Sequence, residues 1–563
     1  MANEWAQNKV DDWLARGLLS KDSVMERLDR EIWESYAIEE EEVSTLRSVF
    51  RSVCTEGEML TEASFISFLQ TKSALPRSPE GTAAGKMVYA SLVYLSTLPF
   101  PPPSSTPHPD GITLAQLTRA LAWALPGRDS RFIEECPDSR MRTRADHRRR
   151  IFQSLASTTA NHVYDPSSAR QLALRNAFDV EREDCHEICK PNHDDDGDEI
   201  YHDLVDVLCA TQKTEHPGLS TAPRDPFRGV ARSLAAEYSL PHLYSLGIPA
   251  EQFVTLVKLL LAFQFHPPAN TDGDDADLSQ FDTAARALTA AFHPSSEPSQ
   301  HDNPVITYPL FDHALKHTIP YLLDPLYHLL STAFFNRPGP GLAGWLDPPA
   351  STSSAVLTLP RLSQLSTHLA GSVDFTAFRR VHHYSPTTTE KNHPSTTAAS
   401  FISALEAVPE EAVVLITGTD REKTGEMVVF GLFSPWPKAD GASVQATARS
   451  ENAAQEGCAL VQLAPVQDVF RGVVGQLGWR EVEGGVVVFG REGAQRGGGG
   501  VVVTLGDGLR MMKVSHRQVQ GGENQGDSGD VGCSFVPNVW RGDWEVIVDV
   551  EEIEIWSELE VEG

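Results

Sequence analysis

Trp544-Glu545-Val546-Ile547-Val548-Asp549-Val550-Glu551-Glu552-Ile553-Glu554-Ile555-Trp556 reads as a β-strand and decides the character of the last third of the chain. Val546, Val548 and Val550 recur at the two-residue period that places side chains on one face of a pleated strand. After Glu551-Glu552 the apolar set shifts phase to Ile553 and Ile555, which predicts a bulge or tight turn. A strand this apolar must pair with earlier strands, because left alone it would be an exposed adhesive edge. The expectation is a β domain closed by its own tail and unfolded by loss of that tail.

Working outward, 413–417 and 427–433 are β-branched runs separated by a turn-rich segment with Gly418 and Gly425, the pattern of a hairpin. Further strands are expected at 460–463, 486–489 and 501–505, with a helix at 398–407 and polar insertions at 437–456 and 515–531. Upstream of Val356 the period changes to that of helices. Leu46, Val49, Phe50 and Val53 share one helical face, and Thr61 is placed to cap a helix carrying Phe65, Phe68 and Leu69. That makes a helix–loop–helix unit. Helices are also expected over 87–98, over 114–123 ending before Pro126-Gly127, over 253–265 and over 319–335. Segments 266–282 and 292–303 read as loops, and 337–353 as a linker. The fold class is therefore α+β and multidomain: an all-helical N-terminal half followed by a mostly antiparallel β domain with a few helices. The divisions are 1–215, 225–345 and 356–563.

At 563 residues each part is long enough to bury a core. The net charge of −30 argues against nonspecific nucleic-acid binding, which needs lysines and arginines to neutralise phosphates. It also argues against docking on an anionic membrane through charge. Seven scattered cysteines and a charged N-terminus without a leader's apolar core favour a reducing, cytoplasmic setting. No apolar run reaches membrane-spanning length, so direct membrane insertion is not expected. Ala2 removes the acylation pattern.

Candidate chemistry is sparse. Gly418 to Thr424 follows an apolar run, but Glu422 stands where a phosphate loop needs glycine, and a strand rather than a helix follows, so a hairpin turn is expected. Asn192, Asp194, Asp196, Asp198 and Asp203 form a weak candidate calcium loop with Gly197 at the bend. Asp203 stands where a bidentate Glu is usual, and a solvated acidic loop is the simpler reading. Cys185, Cys189, His193, His202 and Cys209 do not fit zinc spacing and read as buried structural thiols beside ordinary histidines. The basic run from Arg140 to Arg150 reads as the solvated face of a helix leading into Ile151 and Phe152, or as a site for an acidic partner. His382-His383 reads as surface. Gly497 to Gly500 lack the helix of a dinucleotide loop, and no nucleophile elbow is present.

Several stretches together resemble the TLDc domain. These are Met427-Val-Val-Phe-Gly-Leu-Phe-Ser-Pro-Trp436, Cys458-Ala-Leu-Val-Gln-Leu-Ala-Pro465, the glycine-rich run from Gly497 to Leu509, Cys533-Ser-Phe-Val-Pro-Asn538 and the terminal strand. Phe430, Gly431, Trp436, Asn538 and Trp556 are the family-motif residues, all expected to be structural. The upstream helices are similar to the degenerate EF-hand-like region of fungal TLDc proteins of the restriction-of-telomere-capping group. The resemblance implies a non-catalytic interaction protein without cofactor, cytoplasmic or peripheral at the vacuolar membrane through a partner. It implies binding to peripheral subunits of the vacuolar-type proton ATPase with influence on its assembly, and a link to oxidative-stress resistance. Two alternatives stand beside it: a calcium-responsive adaptor using 192–203, and a thiol-dependent antioxidant enzyme using Cys458 or Cys533.

Overall fold

The computed structural model describes residues 2–54, 59–72, 74–102, 110–133, 142, 144–158, 200–213, 222–265, 277–292, 304–338, 346, 349, 354–386, 397–408, 411–423, 425–435, 458–473, 479–482, 485–492, 499–506, 508–518, 533–538 and 540–558. A helical part reaches to Phe335 and a mostly antiparallel sheet follows.

The helices are α1 (Ala2–Ala15), α2 (Lys21–Glu34), α3 (Glu40–Val53), α4 (Glu62–Thr71), α5 (Pro79–Thr97), α6 (Leu114–Ala124), α7 (Ser130–Ile133) and α8 (Arg144–Leu155). After them come α9 (Ile200–Ala210), α10 (Phe227–Glu237), α11 (Ala250–Ala262), α12 (Asp282–Ala290), α13 (Tyr308–His317) and α14 (Asp324–Phe335). Local chemistry sets their starts. Thr61 accepts the Ser64 N–H as expected, Thr113 and Gln116 form a reciprocal capping box, and Ser78 caps α5 ahead of Pro79. The stretch 319–335 is helical only from Asp324, where Pro325 fits the first turn.

Helices α3/α4 and α5/α6 form two helix–loop–helix units, tied by reciprocal hydrogen bonds between Leu60 and Ile112 (2.8 and 3.0 Å). The half is not entirely helical. Strands β1 (Ser157–Thr158), β2 (Leu246–Pro249) and β3 (Val305–Ile306) make a small antiparallel sheet, too short to leave a two-residue period in the sequence. Residues from 1–215 and 225–345, expected as separate domains, share one core. Phe65 stacks on Phe334 at 6.2 Å, and Trp13 on Phe227 at 6.0 Å. Helix α5 is the reason: it buries Ala84, Gly85, Val88, Tyr89, Leu92, Val93 and Leu95, more than one stripe, and needs cover from both stretches.

The sheet runs β8 (Asp468–Arg471), β7 (Ala459–Ala464), β6 (Met427–Pro435), β5 (Glu411–Asp420), β13 (Trp544–Glu558), β12 (Met511–Arg517), β11 (Gly500–Gly506), β10 (Val486–Phe489) and β9 (Trp479–Val482). The terminal strand β13 is interior. One side pairs with β5; the other pairs first with β12 and then with β4 (Phe378–Tyr384). The expected phase shift is a bulge, with the register to β5 slipping between Val550 and Glu552. The hairpin is β5–β6, and Lys423 pairs with Glu426 in its turn rather than standing in a phosphate loop. Gly418 is required there, because a Cβ would meet the Asp549 carbonyl oxygen at 2.1 Å.

Both faces of this sheet are covered, which explains the unbroken apolar runs of β5 and β6. Val414, Ile416, Phe430, Val550, Ile553 and Ile555 pack with α16 (Ala398–Ala407) on one face. Val413, Leu415, Val429, Phe433 and Trp556 pack with α15 (Leu359–Leu369) on the other. Helix α15 also joins the two parts through buried amides. Gln364 Nε2 donates to the Leu463 carbonyl (2.9 Å) and to Gln467 Oε1 (3.1 Å), while the Gln467 backbone N–H donates to Ala287 on α12 (2.8 Å).

Candidate functional site

Segment 533–538 staples the sheet. The Val536 N–H donates to Arg471 on β8 (2.9 Å) and the Val501 N–H on β11 donates to Phe535 (3.2 Å), so strands far apart in the sheet order are joined by one short stretch. Gly490 accommodates it: a Cβ would lie 2.8 Å from the Phe535 ring.

Asn538 completes the staple. Its backbone N–H donates to His516 Nε2 on β12 (2.9 Å), and its Nδ2 reaches both carboxylate oxygens of Asp468 on β8 (3.1 Å each). Arg541 adds Nη1 contacts to Gln462 Oε1 (2.6 Å) and to Asp468 Oδ2 (3.2 Å). Trp544 floors the cluster. The His516 ring stacks on it at 5.4 Å and 7°, the Arg541 guanidinium lies over it at 4.6 Å, and Phe430 and Phe470 border it at 6.4 and 6.5 Å.

Burial raises the Asp468 carboxyl despite Arg541 and Asn538, and lowers the Arg541 guanidinium despite Asp468. Desolvation therefore outweighs the attraction, and the pair specifies geometry more than it adds stability. Burial, seconded by Arg541, lowers His516 to about 4, so at neutral pH it is an uncharged acceptor already engaged by Asn538. These polar groups are committed to one another and hold the loop. Replacing Asn538 with Ala is expected to take one of its donors from each Asp468 oxygen and cost about 1–3 kcal/mol in urea unfolding. An unchanged midpoint would show that the staple does not depend on it.

Of the residues picked from sequence, Phe430 and Asn538 come together here. Gly431 lies beside Phe430 on β6, where a Cβ would come within 3.0 Å of Leu415, and Trp556 stacks on Phe378 at the far end of β13 (5.4 Å). Trp556 Nε1 donates to the fully buried Glu554, which also accepts from Arg380 (2.8 Å) and Ser354 (2.5 Å). Trp436 lies outside the described residues. Asp468, His516 and Arg541 were missed, because buried polar residues in strand-like runs resemble solvent-facing ones until their partners are known.

The basic run is corrected. Arg149 and Arg150 are fully buried, and Arg142 nearly so. Arg142 reaches Asp203 (2.5 Å) and Asp206 (2.6 Å), Arg149 reaches Asp203 (2.9 Å) and Asp146 (3.2 Å), and Arg224 reaches Asp206 (2.6 Å). Arg150 pairs with Asp129 (2.7 Å) and lies over Trp123 (5.0 Å). The acidic counterpart is intramolecular and distant in sequence. Burial alone would raise Asp203, but Arg149, Arg142 and Arg150 hold it well below the usual carboxylate range.

Asp203 therefore sits on α9 facing arginines, a setting that opposes a cation, instead of in a solvated loop. Asn192, Asp194, Asp196 and Asp198 lie outside the described residues, among which no group of three His, Cys, Asp or Glu side chains is placed to hold a metal ion. Cys54, Cys458 and Cys533 are not in disulfides, and burial raises Cys533 away from the reactive thiolate. Cys209, expected as a buried thiol in a reduced chain, is buried and disulfide-bonded. His202, Cys185, Cys189 and His193 cannot be placed beside it, as their side chains lie outside the described set. His383 is exposed on β4 and meets Glu552 at 2.6 Å, a surface position as expected.

Four histidines are held neutral chiefly by burial: His147 well below its usual value, His317 at about 2, and His368 and His516 at about 4. The unfolded chain takes up these protons as pH falls below about 6.5, while the folded chain resists. Stability present above that pH is therefore lost as it drops towards 4, by up to about 1.4 kcal/mol per pH unit for each histidine. Urea midpoints at pH 7.5 and pH 5 read this directly, and equal midpoints would contradict it.

No protein-family model matches this chain, and no curated protein matches its sequence. The family reading therefore rests on the residues themselves. Among the described residues no helix is long and apolar enough to cross a membrane.

Proposed function

We propose that this chain is a non-catalytic interaction protein with a TLDc-like β region, and that it binds peripheral subunits of the vacuolar-type proton ATPase in the cytoplasm and influences assembly of that pump. The observation that carries the reading is the placement of the family-like segments. Segments 427–435 and 458–465 lie on the neighbouring strands β6 and β7, 550–556 lies on β13 with β5 between it and β6, and 533–538 ties β8 to β11 of the same sheet. Those segments do a common structural job, which is what a shared domain requires of its motifs. The polar cluster at Asn538 is spent on that closure, leaving surface rather than a reaction centre as the functional element.

The test is direct binding. Purified full-length protein is mixed with purified peripheral sector of the pump and passed over a size-exclusion column at micromolar concentration. Co-elution with a defined stoichiometry is expected. Separate elution at about 10 µM, a concentration that populates any complex of physiological strength, would leave the fold likeness without the pump.

A further inference from the structure

A cleft of about 300 Å³ opens where the start of α3, the turn between α6 and α7, and the end of α14 come together. Its wall carries five charged side chains, Glu39, Glu42, Arg128, Arg131 and Arg337. Three distant stretches supply them. Asn336, in the left-handed region (φ 54°), ends α14, and Arg337 then reaches back to Glu39 (2.8 Å) and to Glu41. Pairing within this wall is uneven. Glu42 is buried and fully engaged: its oxygens accept from Arg128 (2.7 and 2.8 Å) and from the Glu39 N–H (3.0 Å). Arg128 also donates to the Ala37 carbonyl (2.8 Å) and lies over Phe335 (4.8 Å), so that pair is closed. Arg337 is one cation shared by two carboxylates, which leaves a negative charge uncompensated at Glu39 and Glu41. Arg131 is exposed, is held by the Tyr36 carbonyl (2.7 Å) and has no acidic partner among the described residues. The cleft thus keeps one unmatched cation and one unmatched anion.

We propose that this cleft binds a free α-amino acid as its zwitterion, with the carboxylate on Arg131 and the ammonium on Glu39. A guanidinium presents a planar fork that matches a carboxylate, and Arg131 has one Nη engaged and its other donors uncommitted. Glu39 keeps acceptor capacity beside Arg337, because a carboxylate offers about four lone-pair sites. The volume stands at the lower end of ligand pockets, about 300–1,000 Å³, where a molecule of amino-acid size fits. A simple anion would satisfy Arg131 but leave the Glu39 and Glu41 excess in place, and it would approach against the field of a chain of net charge −30. A simple cation would leave Arg131 unmatched. Only a ligand carrying both charges completes both walls. The proposal does not depend on the pump being a partner.

The experiment screens full-length protein by thermal shift against each standard L-amino acid at about 10 mM, and the strongest stabiliser is then titrated by calorimetry. At least one should raise Tm saturably. Its N-acetyl form, which lacks the ammonium, and its amide, which lacks the carboxylate, should each bind at least about tenfold more weakly. Arg131→Gln and Glu39→Gln should weaken the free amino acid by the same factor, at least about tenfold. Both side chains are exposed, so the unliganded variants should melt close to wild type. If one variant misfolds, the other decides. No saturable shift with any amino acid would overturn the proposal, as would wild-type affinity in a folded variant. An N-acetyl form that binds as tightly as the free amino acid would overturn it in favour of a plain carboxylate site. Co-elution with the pump is read separately, and neither result decides the other.

Discussion

A chain ending at Asp543 is expected to have no folded β region. Strand β13 is hydrogen-bonded to β5, β12 and β4, so its removal takes the partner from three strands at once. It also takes Val548, Val550, Ile553 and Ile555 from one core and Trp556 from the other. Each such side chain contributes about 1.5–3 kcal/mol by burial, so together they match the whole stability of a typical domain. Near-ultraviolet circular dichroism and limited proteolysis read the outcome: the truncated chain should lose its aromatic signal and any protected fragment spanning residues 411–517. A gentler version is Ile553→Asp, which places a carboxylate in that core and should cost more than about 4 kcal/mol. Persistence of the protected fragment in the truncated chain would refute the keystone role of β13.

The second large effect lies in the helical half. Arg149→Met leaves Asp203 and Asp146 buried with one cation fewer, and a broken buried ion pair costs about 3–5 kcal/mol. The double variant Arg149→Met/Asp203→Leu removes both charges and should recover a large part of the loss, because two charges no longer need desolvation. Urea unfolding followed at 222 nm measures both. A wild-type midpoint in the single variant would refute a stabilising role for the Arg149 contacts. Arg142 is the control for additivity: burial pulls its pKa down, yet Asp206, Asp203 and Asp146 raise it, so it stays charged and takes up part of the Asp203 contact.

These cases separate what local reading reaches from what it misses. The terminal strand, its bulge and the β5–β6 hairpin were legible because alternation and turn residues are local signals. The caps at Thr61 and Thr113 fall in the same class. Strand β12 was missed within a tract read partly as an insertion: Met512, Val514 and His516 alternate as buried residues, but a buried histidine looks like a polar one in sequence. Helix α15 was missed although Leu362, Leu365 and Leu369 recur at helical spacing, because the polar Gln364, Ser366 and Thr367 between them are buried too, on partners Gln467 and Gln264 about a hundred residues away.

By itself, then, the sequence determined the class of each half, the period of its longest elements and the phase shift in the last strand, since backbone periodicity and turn chemistry act over a few residues. Only the tertiary structure decided that the terminal strand is interior, that the two helical stretches share a core, and that Arg142, Arg148, Arg149 and Arg150 of the basic run face acids instead of water. The reason is the same in each case. Burial of a charge or an edge depends on a partner brought near by folding, and desolvation gives that partner its weight. Arg149 and Asp203 are 54 residues apart in the chain and 2.9 Å apart in the fold.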